Sequence, residues 1–325
     1  MNRRTLLASA LAAFPLARAQ AQAGAAAWPS RPIRLIVGFP AGGGSDLVAR
    51  PLAQRMLATL GQPVVVENRG GANGNLGLEV VAKSPPDGYT IGHVNNSVIG
   101  VNPLLYSNLP FNAARDFTPL CTVTIGGLIM MVPAELPVRS LPELVALARA
   151  QPGALNFGAA GLGGVTHLGF ELFRKQAGVD ITLVPYRGSA PALQDLLGGR
   201  IQLMIDGINL AKAQIDAGKV RAIAFLGRER HPHLPEVATS VEQGFPELLT
   251  PGWQGFIAPA GTPEPILARL EDAFRIALAD PEVQANFAAQ ATLPQFRGRQ
   301  EMARLIREET ARWDPIIKEL GIRLD

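Results

Sequence analysis

Two glycine-rich runs carry the residue types best suited to chemistry in this sequence, and the chemistry they suit is anion binding. The first, Phe39-Pro40-Ala41-Gly42-Gly43-Gly44-Ser45-Asp46, follows an apolar, β-branched run from Ile33 to Val37. It precedes a segment in which Val48, Leu52, Met56 and Leu60 recur every four residues. The second, Ala159-Ala160-Gly161-Leu162-Gly163-Gly164, follows Leu155-Asn156-Phe157-Gly158 and precedes a segment with Val165, Leu168, Leu172 and Phe173 on one helical face. A strand feeding a glycine loop that ends at a helix N-terminus presents N–H groups without internal partners, and glycine allows close backbone approach. Gly42, Gly43, Gly44, Gly161, Gly163 and Gly164 are therefore candidate ligand contacts. Ser45 or Asp46 is placed to cap the first helix. Asp46 has a second reading, holding a water that bridges to the ligand, because a carboxylate in direct contact would repel an anion. Thr166 and His167 fall in the first turn of the second helix, facing either the ligand or solvent.

The elements that must position these loops repeat along the chain. After Ile33–Val37, the glycine loop and a helix over about 45–60, the run Val64 to Asn68 reads as a buried strand. The loop from Arg69 to Asn75 leads a helix carrying Leu76, Val80 and Val81, and a third strand runs from Tyr89 to Val94. Pro51 inside the first helix predicts an irregular first turn. The second half reads the same way: strand, glycine loop, helix, strand from Ile181 to Tyr186, an Arg187-Gly188 loop, a helix through Leu197, and a strand from Ile201 to Asp206. Gly38 to Arg69 is 31 positions and Gly158 to Arg187 is 29. That agreement predicts two similarly built α/β lobes with parallel strands. Ligands of open α/β sheets sit beyond the carboxyl ends of the strands, and small-molecule clefts favour interfaces. Two facing lobes would aim two sets of helix N-terminal N–H groups at one oxyanion, most simply a carboxylate. Asn73, Asn95, Tyr186 and Asp206 end strands or begin helices on that side and join the candidates. Between the lobes, Pro119 to Val132 is strand-like without intervening helices, as a crossover requires. Gly255 to Ala258 is expected to return the chain to the first lobe. The rest is helical, with Met302, Leu305, Ile306, Trp313, Ile316 and Ile317 expected to pack on that lobe.

Composition narrows the function classes. Asn2-Arg3-Arg4, the apolar stretch Leu6 to Leu16 and small-x-small sites at Ala19–Ala21 and Ala21–Ala23 read as a signal peptide over residues 1–23. The predicted destination is a bacterial periplasm. The apolar stretch is too short to span a bilayer. Without the three arginines of residues 1–27, basic and acidic residues balance at 27 each. With no basic run or aromatic-interleaved basic patch, nucleic acid is not an expected partner. Cys121, the lone cysteine, sits in an apolar context and reads as a core residue. His231-Pro232-His233 lacks further ligands for a metal and reads as an exposed loop. Enzyme signatures are missing: Gly44-Ser45-Asp46 lacks the second glycine of a nucleophile elbow, and the chain has no Walker A lysine, His-Glu-x-x-His or Cys-x-x-Cys. No cofactor is called for.

Taken together, Pro40 to Asp46, Val66-Glu67-Asn68-Arg69-Gly70-Gly71-Ala72-Asn73-Gly74, Pro86-Asp87-Gly88-Tyr89-Thr90, Asp116-Phe117, Pro185-Tyr186-Arg187-Gly188 and Pro259-Ala260-Gly261-Thr262-Pro263 resemble the periplasmic receptors of tripartite tricarboxylate transporters, the Bug-type solute-binding proteins. The resemblance covers essentially the whole mature chain. It implies an α/β type II periplasmic-binding-protein fold with two lobes, a central cleft and a hinge. Residues 28–125 and 252–325 would form lobe 1, and 126–251 lobe 2. It further implies binding of a small carboxylate without chemistry, by a monomer that delivers it to the membrane permease subunits of such a transporter. In that family the loop after the first strand and its counterpart in the second lobe hold the ligand carboxylate, partly through ordered water. Carried onto this chain, these loops are Phe39 to Asp46 and Ala159 to His167. The same cleft would equally serve an extracytoplasmic sensor for a membrane signalling partner.

Overall fold

The structure is a computed structural model describing residues 28–324; the expected signal peptide lies outside the described residues. The chain runs β1 (Ile33–Val37), α1 (Gly44–Leu60), β2 (Val64–Asn68), α2 (Asn75–Ala82), β3 (Thr90–Asn95), a π-helical turn (Ser97–Val101), α3 (Asn102–Leu105) and β4 (Phe117–Pro133). It continues α4 (Leu141–Ala150), β5 (Asn156–Ala159), α5 (Val165–Ala177), β6 (Thr182–Pro185), α6 (Ser189–Leu197), β7 (Leu203–Gly207), α7 (Ile208–Asp216) and β8 (Val220–Phe225). The last elements are β9 (Pro251–Pro259), α8 (Glu264–Ala279), α9 (Pro281–Ala289), β10 (Pro294–Gly298) and α10 (Arg299–Leu320). Among the described residues no helix is long and apolar enough to cross a membrane.

Strand order is β2-β1-β3-β9-β4-β7-β5-β6, with β8 and β10 also pairing with β4. β1 is parallel to β2 and β3, and β5 is parallel to β6 and β7. The pairs β3–β9, β9–β4 and β4–β7 are all antiparallel. The β1 set and the β5 set therefore run in opposite senses, which turns their carboxyl ends toward each other. β4 joins the two sets: its first part pairs with β9 from Phe117–Pro259 to Gly127–Pro251, and beyond Gly127 it pairs with β7 and β8.

Each lobe has its own core. In the first, Ile33, Leu35 and Val37 pack with Val48, Leu52 and Met56 of α1 and with Phe256 and Phe274. In the second, Phe157, Phe170 and Phe173 pack with Leu144, Leu203 and Ile205. The four-residue periodicity read in α1 is thus the buried face. The helix is continuous from Gly44 to Leu60 with Pro51 inside it, so the irregular first turn expected from that proline is not seen; the burial of Val48, Leu52 and Met56 offsets the hydrogen bond that proline removes. In α2 the buried apolar side chains are Leu78 and Val81, whereas Leu76 is half exposed. The expectation for α10 holds for half its length. Met302 packs with Ile36 and Val94 of the first lobe, while Trp313 and Ile317 sit in a cluster with Val101, Leu105, Val165 and Leu168, which draws on both lobes.

Candidate functional site

The opposed carboxyl ends enclose a cavity of about 140 Å³, smaller than the roughly 300–1,000 Å³ that drug-sized ligands occupy. Five helical N-termini reach its wall. Gly43 is the N-cap of α1 and Gly44 and Ser45 open it, while Asn96 and Ser97 stand at the start of the π-helical turn. Gly164 is the N-cap of α5 and Val165 and Thr166 open it, Ser189 opens α6, and Gly207 is the N-cap of α7, which Ile208 and Asn209 open. The first N–H groups of a helix lack intrahelical acceptors and carry its positive dipole end, about half an elementary charge. Among the described residues no Lys or Arg lines the cavity. An anion here would be met by backbone N–H groups and hydroxyls rather than by side-chain cations. Trp253 Nε1 and Thr292 Oγ1, on two further lining residues, are buried without a hydrogen-bond partner among the described residues.

Of the residues picked from sequence, Phe39, Gly43, Gly44, Ser45, Asn73, Asn95, Ala160, Gly164, Thr166 and Asp206 line this cavity. The others do not. Ala41 and Gly42 sit on the exposed side of their loop. Asp46 is buried as the third helical residue rather than the N-cap, which is Gly43, and Ser45 is not the cap either. The Asp46 carboxylate accepts from Gly42 N–H at 3.0 Å, from Arg50 Nε at 2.8 Å and from Asn68 Nδ2 at 2.9 Å. Burial works to raise its pKa, but Arg50, the Gly42 N–H and Asn68 together hold it below the usual carboxylate value. Asn68 also donates to Phe39 O at 3.0 Å, so this network fixes the loop's shape from behind. Ala159 is buried at the end of β5, and Gly161 and Gly163 turn inside their loop, Gly163 against Leu105 and Leu324. His167 points back into that loop, its Nδ1 accepting from Gly163 N–H at 3.0 Å. Tyr186 turns its hydroxyl to Asp195 at 2.7 Å.

The lobes touch around the cavity. Val165 N–H donates to Ser97 Oγ at 2.9 Å and Asn209 Nδ2 donates to Gly44 O at 3.0 Å. Asn73, held by Asn102 at 2.7 Å, lies against Gly161 and Gly164. Ser97, Ser189 and Asn209 were not singled out by sequence reasoning, although Asp206-Gly207-Ile208-Asn209 repeats the strand–glycine–helix signal of the two main loops. The wall from Thr124 to Leu128, Gly252 to Gln254 and Ala291 to Leu293 gave no local signal. The expectation of an exposed loop holds for Pro232 and His233 and fails for His231, which is 3% exposed, lines the cavity and packs edge-on against Phe225. Burial, aided by His233, lowers its pKa to about 4, so it is neutral at neutral pH and brings no cation to the site.

Asp206 behaves oppositely. Burial raises its pKa to about 6 from 3.8, against the pull of the Ser189 hydroxyl and the Gly207 N–H. A carboxyl whose folded pKa lies above its unfolded value binds its proton more tightly when folded. The resulting stability penalty is absent below about pH 4, grows as pH rises and is complete above about pH 6. Asp206→Asn is therefore expected to stabilise the protein at pH 7.5 by about 2–3 kcal/mol, a gain that fades by pH 4. Urea unfolding at the two pH values measures it, and equal stability of variant and parent at pH 7.5 would contradict the account.

A family model described as the tripartite tricarboxylate transporter family receptor matches residues 48–322. The solved periplasmic binding protein BugD is 32% identical with a TM-score of 0.87, the match covering 91% of this chain and 99% of that one. A Rhodopseudomonas palustris protein solved with adipate is 36% identical, TM-score 0.87, over 91% of this chain and 99% of that one. MatC from the same organism, solved with bound malate, is 34% identical, TM-score 0.85, over 89% of this chain and all of that one.

Proposed function

The chain belongs to the tripartite tricarboxylate transporter receptor family, and from that premise we propose that it captures a small dicarboxylate between its lobes in the periplasm and delivers it to the permease subunits of such a transporter. It is a solute-binding receptor and not an enzyme. The observation that carries the carboxylate reading is the convergence of five helical N-termini on a cavity with no lining Lys or Arg among the described residues. Adipate and malate, seen in two of the solved relatives, support a dicarboxylate. Residues 28–125 with 252 onward would form one lobe and 126–251 the other, with β4 and β9 as the hinge between them. The lobes of a monomer would close over the ligand, each supplying part of its partners.

A panel of mono-, di- and tricarboxylates, amino acids and neutral sugars tests this by thermal shift and calorimetry. At a hundredfold excess over Kd a true ligand stabilises by about 2.7 kcal/mol, a rise in Tm of several degrees at about 2–4 °C per kcal/mol. At least one carboxylate is expected to bind and to be recovered unchanged. Stabilisation by a neutral sugar alone, or consumption of the bound acid by pure protein, would overturn the reading.

A further inference from the structure

Asp206 is a carboxylate in a cavity otherwise furnished for an anion. It is 8% exposed and lines the cavity at the end of β7. Its Oδ2 accepts from Ser189 Oγ at 2.5 Å and its Oδ1 from Gly207 N–H at 2.8 Å. Both donors belong to the lobe's own helix starts and both favour the ionised form. Two oxygens offer about four acceptor sites, so two donors leave capacity for a donor arriving from the cavity. The elements around it bring no counter-charge: β4 places Ile129 opposite, α6 contributes Ser189, and α7 begins with Ile208 and Asn209 after its N-cap Gly207. His231, the other titratable residue on the cavity wall, is neutral at neutral pH. An unsubstituted dianion gains nothing from Asp206 and is repelled by it. A ligand with a hydroxyl or ammonium group beside its carboxylate can donate to it.

We propose that Asp206, held by Ser189, is the specificity-determining residue of the cavity and selects carboxylates bearing a hydrogen-bond donor, hydroxyl or ammonium, over their unsubstituted counterparts. The inference rests on the carboxylate reading and names the subclass that the cavity prefers. A hydrogen bond to a charged group of this kind corresponds to about a ten- to hundred-fold preference in Kd.

Calorimetry at pH 7.5 with matched sets decides it: propionate, lactate and alanine; succinate, malate and aspartate; glutarate, 2-hydroxyglutarate and glutamate; adipate with its 2-hydroxy and 2-amino forms. In whichever set binds, the hydroxy or amino member is expected to bind about ten- to hundred-fold more tightly than the plain acid. The two arms separate the hydroxyl from the ammonium donor. Asp206→Asn is expected to bring that ratio to within about threefold, and Ser189→Ala to lower it in the same direction, with circular dichroism confirming the fold; should Asp206→Asn fail to fold, Ser189→Ala alone decides. A plain acid that binds as tightly as its substituted partners in the parent protein overturns the proposal. So does an unchanged ratio in the variants. A plain diacid that outbinds its partners and tightens between pH 7.5 and 5.5 would mean that Asp206 acts as a protonated donor to a second carboxylate, which also overturns it. In those cases the carboxylate receptor survives; binding by no carboxylate at all removes both readings.

Discussion

Gly164→Val is expected to lower carboxylate affinity by at least ten- to hundred-fold while leaving the protein folded. Gly164 precedes α5 with φ −69° and ψ 164°, an extended conformation that valine adopts without strain. The obstacle is space. A Cβ at this position would stand 3.2 Å from Asn73 Oδ1 and 3.5 Å from Ser97 Oγ, and valine adds two methyl groups beyond it. These are the side chains through which the first lobe meets the start of α5, so the variant holds the lobes apart and removes N–H groups of α5 from the ligand's reach. Loss of one charge-assisted hydrogen bond accounts for about 1.5–3 kcal/mol, and imperfect closure adds to it. Gly42→Ala is the control. Gly42 has φ 77°, is exposed, and has nothing within 4 Å of a built Cβ. That substitution should lower stability through backbone strain and leave affinity unchanged. Calorimetry on both variants reads the contrast, and a Gly164→Val protein that binds like the parent would remove α5 from the site.

Trp313→Ala is the substitution expected to cost most in stability, about 3–5 kcal/mol. Trp313 is fully buried among Val101, Leu105, Val165, Leu168 and Ile317, and its Nε1 donates to Glu309 Oε2 at 3.1 Å. Glu309 is itself buried, and burial raises its pKa despite Arg312 and the Trp313 donor. Truncation leaves both a cavity and a carboxyl short of a partner. Trp313→Phe keeps most of the packing and should lose less than half as much. Urea unfolding followed by far-ultraviolet circular dichroism measures the difference. A loss below about 1 kcal/mol for the alanine variant would mean that α10 does not bridge the lobes through this cluster.

The sequence was most legible where local signals agreed. Ile33 to Leu60 shows a buried strand, a glycine loop and a four-residue apolar period, and all three appear in β1, the loop and α1. The repeat at Ala159 to Phe173 made the second lobe readable in the same way. Ser140 and Glu143 have the spacing of a helix-start capping pattern, and at the start of α4 the Ser140 hydroxyl accepts from Glu143 N–H at 3.3 Å. What stayed hidden depends on long-range pairing. Ile125, Gly126 and Gly127 carry no chemistry of their own, and reach the cavity only because β4 pairs with Trp253, Gly252 and Pro251 of β9. β10 is short and lies mostly outside the core, so alternation could not reveal it. Asp46 was left between two roles, yet Arg50 four residues on was a visible partner for an ion pair. His231 was misread because a Pro-rich loop usually faces solvent, whereas here Phe225 and the cavity wall enclose it.

A crystal structure of the protein with the tightest carboxylate from the panel tests the central claim most directly. The account predicts the ligand between the lobes, with carboxylate oxygens accepting from N–H groups at the starts of α1 and α5, Gly44 or Ser45 on one side and Thr166 on the other, at about 2.7–3.1 Å or through one ordered water. No Lys or Arg side chain should touch it. A carboxylate paired with an arginine or lysine, or seated outside the cavity between the lobes, would contradict the account.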